Sequence, residues 1–564
     1  MCLNGEIQAK AYTFAAKFLR FVSKDMKNLK VCVAGLMMAA TTTTALAGGI
    51  LTNTNQSIDF LRNPAREGAI AIDGVYSNPA GVAFLEQGLH LSINWQAAWQ
   101  TRTIDTTNPT FAMGVRNNGA TTKSYEGEAK APFVPSVLAA YNMDKWSFQA
   151  GFSVTGGGGK CEFPSGLGSF EGAVGSVAAQ LATTSSALSS QFSPLGVTMP
   201  VVTGYDCNGF MQGKQYYFGF TLGSAYKINE HLSVYGGLRL LYGVASYKAK
   251  IDNIKAVCGN DAYNLLDYTE KVADGVSEAA QKVVAGKSQI IGAYSNAIAS
   301  QYPELPSERV QAMAMEMAQQ NDTYQRLDAA QQRIEAASPA LAESAEVLRV
   351  YADGVNLQSD QSGFGLAPIV GADFKYGRFN VAVKYEFRTK MSMLNESTVK
   401  QAMEIEAVNQ FIDGSYMRED QPSLLAFGAQ YSPLDNVRIM AGYHHFYDNN
   451  AQKYGNRQDL IDGGTNEYLG GVEWDPIDRL TVSAGVQVTR YGNTDEFMRD
   501  FSFVVNSWSF GIGAKYKVSD KVDVQAAYFA TNYDDYTTAM SAQGIQNRFT
   551  RTNKVLGLGC DINF

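Results

Sequence analysis

Apolar and polar residues alternate strictly over many segments of this chain after Gly88. In the segment 480–489, Leu, Val, Ala, Val and Val alternate with Thr, Ser, Gly, Gln and Thr, and the segments 379–388 and 522–529 have the same pattern. A period of two places successive side chains on opposite faces, so each segment is predicted to be a β-strand with one apolar and one polar face. Each run is close to the roughly 9–11 residues with which a tilted strand crosses a bilayer.

The connections between these segments alternate between short and long. An even number of strands, with short turns at one end and long loops at the other, is typical of bacterial outer-membrane barrels. The fold is therefore predicted to be all-β and transmembrane: a 14-stranded antiparallel outer-membrane β-barrel over residues 88–564. The predicted strands are 88–103, 131–143, 146–156, 214–228, 232–252, 362–376, 379–393, 421–432, 437–448, 465–475, 480–491, 506–518, 522–533 and 553–564.

Two regions depart from the alternating pattern. Residues 48–87 are too polar and too interrupted by glycine to span a bilayer, and they predict an N-terminal plug inside the lumen. Within 253–361, apolar residues recur at three- and four-residue spacing, which predicts a helical extracellular loop with a break at Pro303 and Pro306. This loop is interpreted either as a self-packing hairpin that caps the barrel or as a groove that collects a ligand.

The first 47 residues are predicted to be an export signal. Lys27 and Lys30 precede the apolar stretch 31–40, and the segment 45–47 offers small residues before a cleavage site. Met26 is an alternative start, since residues 1–25 lie upstream of an otherwise complete signal. Export permits disulfides, and a bridge between Cys161 and Cys207 is one hypothesis, although the sequence does not decide how Cys161, Cys207 and Cys258 are paired.

Composition and charge exclude several other classes of protein. Outside the first 47 residues, no uninterrupted apolar run approaches the roughly 20 residues of a membrane helix, which excludes a helical membrane bundle. The net charge is −8 and only 18% of the residues are charged, so no nucleic-acid partner is predicted.

Candidate catalytic and metal-binding motifs fail on their spacing. The segment 156–160 looks like a phosphate loop, but Cys161 stands where Ser or Thr must follow the lysine. His444 and His445 look like a metal pair, but adjacent residues of a strand point to opposite faces. No catalytic spacing stands out elsewhere, so the protein is not expected to be an enzyme and no metal or cofactor is predicted.

Several short motifs occur in a fixed order along the chain. Residues 67–71 are Glu-Gly-Ala-Ile-Ala and residues 77–81 are Ser-Asn-Pro-Ala-Gly, and together they resemble the plug of FadL-type outer-membrane long-chain fatty-acid transporters. Phe-Val-Pro at 133–135 and the segments 224–229 and 247–251 fit the family in the same order. The resemblance extends over about residues 48–564.

The resemblance implies passive uptake of hydrophobic molecules across the bacterial outer membrane. It places the plug motif at Asn78, Pro79 and Ala80, and it implies a monomer whose partners are a hydrophobic small molecule and outer-membrane lipid. It also implies a third strand that kinks inward to form a lateral gate. That kink is placed at Gly156, Gly157, Gly158, Gly159 and Lys160, and four consecutive glycines independently permit a bend or a gap in strand pairing.

The identity of the cargo stays open in the sequence. The family places an arginine just past the fifth strand to bind a fatty-acid carboxylate, but Asn253 stands there, with Lys248, Lys250 and Lys255 nearby. Lysine can supply a point charge but not a bidentate fork. A long-chain fatty acid or similar lipid is therefore one hypothesis, and an aromatic hydrocarbon, a bile-acid-like lipid or haem are alternatives. An adhesin-like structural barrel and an outer-membrane hydrolase are alternatives from other functional classes.

Overall fold

The computed structural model describes residues 52–352, 354–399, 411–500 and 502–564. Within these ranges the chain forms a closed antiparallel barrel of fourteen strands, because the first strand pairs with the last from His90↔Asn563 to Thr107↔Gln546. The predicted fold is thus confirmed, while the predicted export signal lies outside the described residues. The strands are β1 (Gly88–Thr107), β2 (Thr122–Met143), β3 (Trp146–Phe163), β4 (Gly204–Lys227), β5 (Leu232–Cys258), β6 (Val355–Tyr376), β7 (Phe379–Glu386 and Lys390–Val399), β8 (Tyr416–Arg418 and Leu424–Leu434), β9 (Val437–Phe446), β10 (Thr465–Ile477), β11 (Leu480–Arg490), β12 (Ser507–Ser519), β13 (Val522–Tyr533) and β14 (Gln546–Asn563).

The strands are much longer on one side of the barrel. Strands β2 to β5 contain 18 to 27 residues, whereas β9 to β13 contain 10 to 13. The extra residues of β2, β4 and β5 lie at the end of the barrel that carries the long loops, beyond the bounds predicted from alternation. Alternation fades there because neither face of an extended hairpin packs against lipid, although backbone pairing continues.

Apolar side chains cover the outward faces of the strands. The exposed residues on this surface include aromatic and aliphatic side chains from every part of the barrel: Trp95, Tyr141, Leu222, Leu238, Phe364, Phe374, Phe379, Phe427, Tyr468, Trp474, Trp508, Ile512 and Leu558. The inward face is polar and largely buried. This division is the reverse of a soluble barrel and is typical of one surrounded by lipid.

The plug fills the lumen near the end that carries the short turns. Its only α-helix in the described residues, α1 (Ile58–Arg62), is capped by Ser57, whose hydroxyl accepts a hydrogen bond from the amide of Phe60 at 3.0 Å. Ion pairs join the plug to the wall: Arg62 and Arg66 lie 2.9 and 3.0 Å from Glu473 of β10. Because these charges are buried and paired, they fix the orientation of the plug.

In the described part of the long loops there are four α-helices. Helix α2 (Gly168–Phe192) follows β3, and helices α3 (Leu265–Gln301), α4 (Ser307–Gln319) and α5 (Asp322–Ala352) follow β5. The loop predicted over 253–361 is therefore helical, but its helical part is shorter because β5 runs to Cys258 and β6 begins at Val355. A second break at Gln320 and Asn321 divides the second predicted arm.

The helices bury their apolar faces against one another. One cluster joins α2 and the residues after it to α3 and α5, and it contains Leu188, Phe192, Val197, Met199, Val276, Ala279, Val283 and Ile334. No helix in the described part of the chain is long and apolar enough to cross a membrane.

The hypothesised bridge between Cys161 and Cys207 is absent from the structure, and the cysteines in the described ranges are free. Cys161 on β3 pairs in register with Gly213 of β4. Cys207 lies six residues before Gly213 in β4, which corresponds to about 20 Å of extended strand. A disulfide spans at most about 7 Å between Cα atoms, so strand register rules out this bridge.

Candidate functional site

A cavity of about 150 Å³, partly open to solvent, lies in the lumen between the plug and the long loops. One side of its lining is polar and comes from β10 to β14: Glu467, Gln487, Thr489, Ser507, Ser509, Thr531 and Asn553. The other side is mixed and comes from the plug, β1 to β4, β13 and β14. Its apolar residues are Phe60, Ala98, Ala131, Val134, Val154, Tyr216, Phe529 and Val555, and its polar residues are Thr52, Asn53, Thr54, Asn55, Gln96 and Gln100. A lumen lined in this way offers both hydrogen bonds and an apolar surface to one ligand.

The cavity residues Ala131, Val134 and Val154 border a gap in the barrel wall. Strands β2 and β3 pair as far as Lys130↔Lys160 and resume at Val137↔Phe152, so residues 131–136 and 153–159 are not paired with each other. The predicted kink segment 156–160 lies at this gap, and Gly157 and Gly159 line the cavity. On the outer surface beside the gap, the apolar side chain of Phe133 is 69% exposed.

The glycine run explains why the gap is located there. Gly157 and Gly159 have φ values of +95° and +74°, in a region that side chains with a Cβ rarely adopt. A Cβ at Gly157 would also collide with the carbonyl oxygen of Gln215 on β4. The pairing of β3 with β4 shifts on both sides of Gly156, which bends β3 away from β2. Lys160 points to solvent and forms an ion pair with Glu162 at 2.8 Å.

The first residues of the plug cover the unpaired part of β3. The amide of Asn53 donates a hydrogen bond to the carbonyl oxygen of Thr155 at 2.8 Å, and its side-chain amide donates to that of Gly157 at 3.1 Å. The Gln56 side chain donates to the carbonyl oxygen of Val154 at 2.9 Å. These bonds replace those that β2 does not supply, so the plug and the gap are directly connected.

The predicted plug motif anchors the plug to the barrel wall. Asn78 donates a hydrogen bond to Asp373 of β6 at 2.6 Å. The carbonyl oxygens of Pro79 and Ala80 accept hydrogen bonds from Gln149 at 2.7 Å and Ser233 at 2.7 Å. These residues therefore hold the plug against β3, β5 and β6 and do not line the cavity.

The residues predicted for a head group lie apart from the cavity, at the far end of β5. Lys248, Lys250 and Asn253 are exposed, and Lys250 forms an ion pair with Asp252. Lys255 is half-buried. None of these four residues lines the cavity described above.

Two buried arginines, of which one lines the cavity, were not identified from the sequence. Arg551 on β14 lines the cavity, and Arg102 on β1 is its direct partner in strand register. The alternation of apolar and polar residues places both arginines on the inward face of the barrel. This was the signal in the sequence that could have identified them. Their proximity depends on the pairing of the first strand with the last.

The two adjacent histidines point to opposite faces of β9, as alternation predicts. His444 is buried, and its Nε2 lies 2.6 Å from Oε1 of Glu67 in the plug, while its Nδ1 lies 2.8 Å from Oε2 of Glu467 on β10. His445 contacts Asn466 on the other face at 2.9 Å. Among the described residues, no group of three or more His, Cys, Asp or Glu side chains could hold a metal ion.

Solved structures share this architecture at low sequence identity. A FadL homologue from Pseudomonas aeruginosa is 11% identical over 92% of this chain and 100% of its own, with a TM-score of 0.54. The toluene transporter TodX from P. putida is 11% identical over 88% of this chain and 94% of its own, with a TM-score of 0.45. No protein-family model and no curated protein matches the sequence. The likeness to the FadL homologue shows a common fold.

Proposed function

We propose that this protein takes up hydrophobic molecules passively across the bacterial outer membrane, with long-chain fatty acids or similar lipids as cargo. The observation that carries this proposal is the gap between β2 and β3 beside the lumen cavity. A cargo in the cavity contacts Gly157 and Gly159, whose backbone forms the edge of that gap. The gap opens to the apolar outer surface, so a lipid leaves sideways without crossing water.

The proposed path begins at the long loops and ends in outer-membrane lipid. The cargo is captured at the outer end, enters the cavity, and leaves through the gap when residues 52–56 of the plug release β3. At about 0.8 kcal/mol per buried CH₂, a twelve-carbon chain contributes on the order of 10 kcal/mol of gross binding energy. Capture therefore needs no energy source. An adhesin-like barrel would need no such cavity, which favours the transport hypothesis.

A disulfide across the gap tests this path. An ideal Cβ at Gly159 would lie 3.3 Å from Cβ of Ala131, close to the separation of about 3.8 Å in a disulfide. The variant Ala131→Cys/Gly159→Cys is expected to lose at least about 80% of its laurate uptake into cells when oxidised and to recover it after reduction.

The control is a disulfide in the paired part of the same two strands. Ala139 and Ala150 are direct partners below the gap, and Ala139→Cys/Ala150→Cys is expected to transport normally in both redox states. If the oxidised gap variant is folded and cross-linked but transports laurate at the rate of the unmodified protein, lateral exit through the gap is wrong.

A further inference from the structure

Arg102 and Arg551 form an unusual pair of like charges inside the barrel. They are direct cross-strand partners on β1 and β14, and both side chains point into the lumen. They are 2% and 8% exposed. Like charges directly opposite each other on a sheet repel, and the cost rises when water is excluded. Such a pair therefore needs an explanation.

Neither guanidinium has an anionic partner in the described part of the chain. Nε and Nη2 of Arg102 and Nε of Arg551 are buried without a hydrogen-bond acceptor. The one acceptor recorded for Arg551 is the neutral side chain of Gln100, at 2.8 Å from Nη2. Aromatic rings complete the surroundings, with Phe503 5.9 Å from Arg102 and Tyr533 5.0 Å from Arg551.

Other buried arginines of the lumen are paired. Arg62 and Arg66 share Glu473, and Arg239 forms an ion pair with Glu386. The chain therefore neutralises these inward guanidinium groups with carboxylates, as the burial of a charge requires. Arg102 and Arg551 are left with open donors, so they are equipped to bind an anion that the chain does not supply.

We propose that Arg102 and Arg551 bind the carboxylate head group of an amphiphilic cargo. This inference rests on the proposed uptake function and deepens it by naming the charge of the cargo and the place of its head group. Two guanidinium forks present planar pairs of donors that match a carboxylate. The Arg102–Arg551 site is distinct from the lysines at the end of β5.

The surface next to the arginines suits the rest of such a molecule. From Arg551, the same inner wall continues through Val555 of β14 and Ala98 of β1 to Phe60 of the plug, and all of these line the cavity. The lining of the cavity also includes Gly157 and Gly159 at the edge of the gap. A cargo whose carboxylate lies at the arginines can therefore place its apolar chain in a cavity that reaches the proposed exit.

Matched ligands that differ in charge test the head-group site. Binding of sodium laurate and of 1-dodecanol is measured by calorimetry with the full-length barrel in lipid nanodiscs. The variant Arg102→Gln/Arg551→Gln is expected to bind laurate at least about tenfold more weakly and to bind dodecanol with unchanged affinity. The variant Arg551→Lys keeps the positive charge but loses the planar pair of guanidinium donors. Its laurate affinity is expected to lie between those of the unmodified protein and the double variant.

The control variant is Arg548→Gln on the same strand. Arg548 is about half exposed and forms an ion pair with Asp535 at 2.5 Å, so its loss is expected to leave laurate binding unchanged. Heat-dependent migration on gels reports whether each barrel is folded. If the double variant does not fold, the two single glutamine variants are compared in the same way.

Three results would overturn the head-group site. One is unchanged laurate affinity in the folded arginine variants, and another is an equal loss for laurate and dodecanol. The third is displacement of laurate by an equal concentration of acetate, which would identify a site for small free anions. In any of these three cases, the proposed uptake function still holds if the unmodified protein binds dodecanol and takes it up. The proposed uptake function itself is wrong if the unmodified protein binds neither laurate nor dodecanol.

Discussion

His444 of β9 holds Glu67 of the plug, with 2.6 Å between its Nε2 and the carboxylate Oε1. The other nitrogen of the same ring contacts Glu467 at 2.8 Å, and Glu467 lines the cavity. One imidazole therefore joins the plug to a residue that lines the cavity. In the proposed uptake path, this contact would link occupation of the cavity to the attachment of the plug.

Removing this ring should weaken the attachment of the plug. In His444→Ala, Glu67 and Glu467 stay buried but lose their shared donor, which costs roughly 1–3 kcal/mol per unsatisfied group. We expect ion-conducting openings in planar bilayers to become about tenfold more frequent. The matched control is His445→Ala, because that ring lies on the opposite face of β9. Equal opening frequencies for the two variants would show that His444 does not hold the plug.

A buried carboxyl in the loop after β9 should make that loop sensitive to pH. Asp448 accepts hydrogen bonds from the amide and hydroxyl of Thr465 at 2.9 and 2.7 Å. Burial nevertheless raises the pKa of Asp448 to about 7. The folded loop disfavours the charged form of Asp448. The contribution of this carboxyl to the stability of the loop is therefore fully present at acidic pH, below the pKa of Asp448 in the unfolded state, and it is lost as the pH rises through 7.

Hydrogen exchange of the loop 447–464 at several pH values measures this effect. In the unmodified protein, the loop should lose up to about 1.4 kcal/mol of stability per pH unit between about pH 5 and 7. The variant Asp448→Asn has no carboxyl at this position and should not show this loss. Protection, corrected for intrinsic exchange, should then depend less on pH in the variant than in the unmodified protein. The same pH dependence in both proteins would mean that Asp448 does not titrate in this range.

The strands were predictable wherever lipid lies on one side and the lumen on the other. Val522–Tyr533 agrees with its predicted bounds of 522–533, because the outward residues Val522, Val524, Ala526 and Tyr528 are apolar. Helix α2 was not predicted, since its run of Ala, Ser and Gly carries little periodic signal. The glycine run at 156–159 indicated the gap, because the bend at this position depends on the local backbone conformation that glycine permits.

The site itself depends on contacts between distant parts of the chain. Arg102 and Arg551 come from the first and last strands, and only barrel closure makes them partners. Likewise, the covering of β3 by Asn53 and Gln56 depends on how the plug packs inside the lumen. Alternation assigns each inward residue to a face, but it contains no information about which inward residues meet.

The helices after β5 should be dispensable for uptake if they form a cap that packs on itself. Leu265, Tyr268 and Leu348 pack at the end of the barrel, whereas Val276, Ala279 and Val283 pack on α2 and α5. We therefore expect deletion of residues 275–343, closed by a short Gly-Ser linker, to leave a folded barrel. Strands β5 and β6 remain paired up to Ile251↔Val355 in this variant, so the remaining loop ends are held together.

Laurate uptake by the truncated protein distinguishes a cap from a ligand-collecting groove. The cap interpretation predicts a rate within about twofold of the full-length protein, because the cavity and the gap use none of the deleted residues. In the truncated protein, Leu188 and Phe192 of α2 lose the side chains that pack on them and become exposed. The control is Leu188→Gln/Phe192→Gln in the truncated protein, because it removes this newly exposed apolar surface. A large loss of uptake at low laurate concentration that is recovered at high concentration would instead show that the helices collect the cargo.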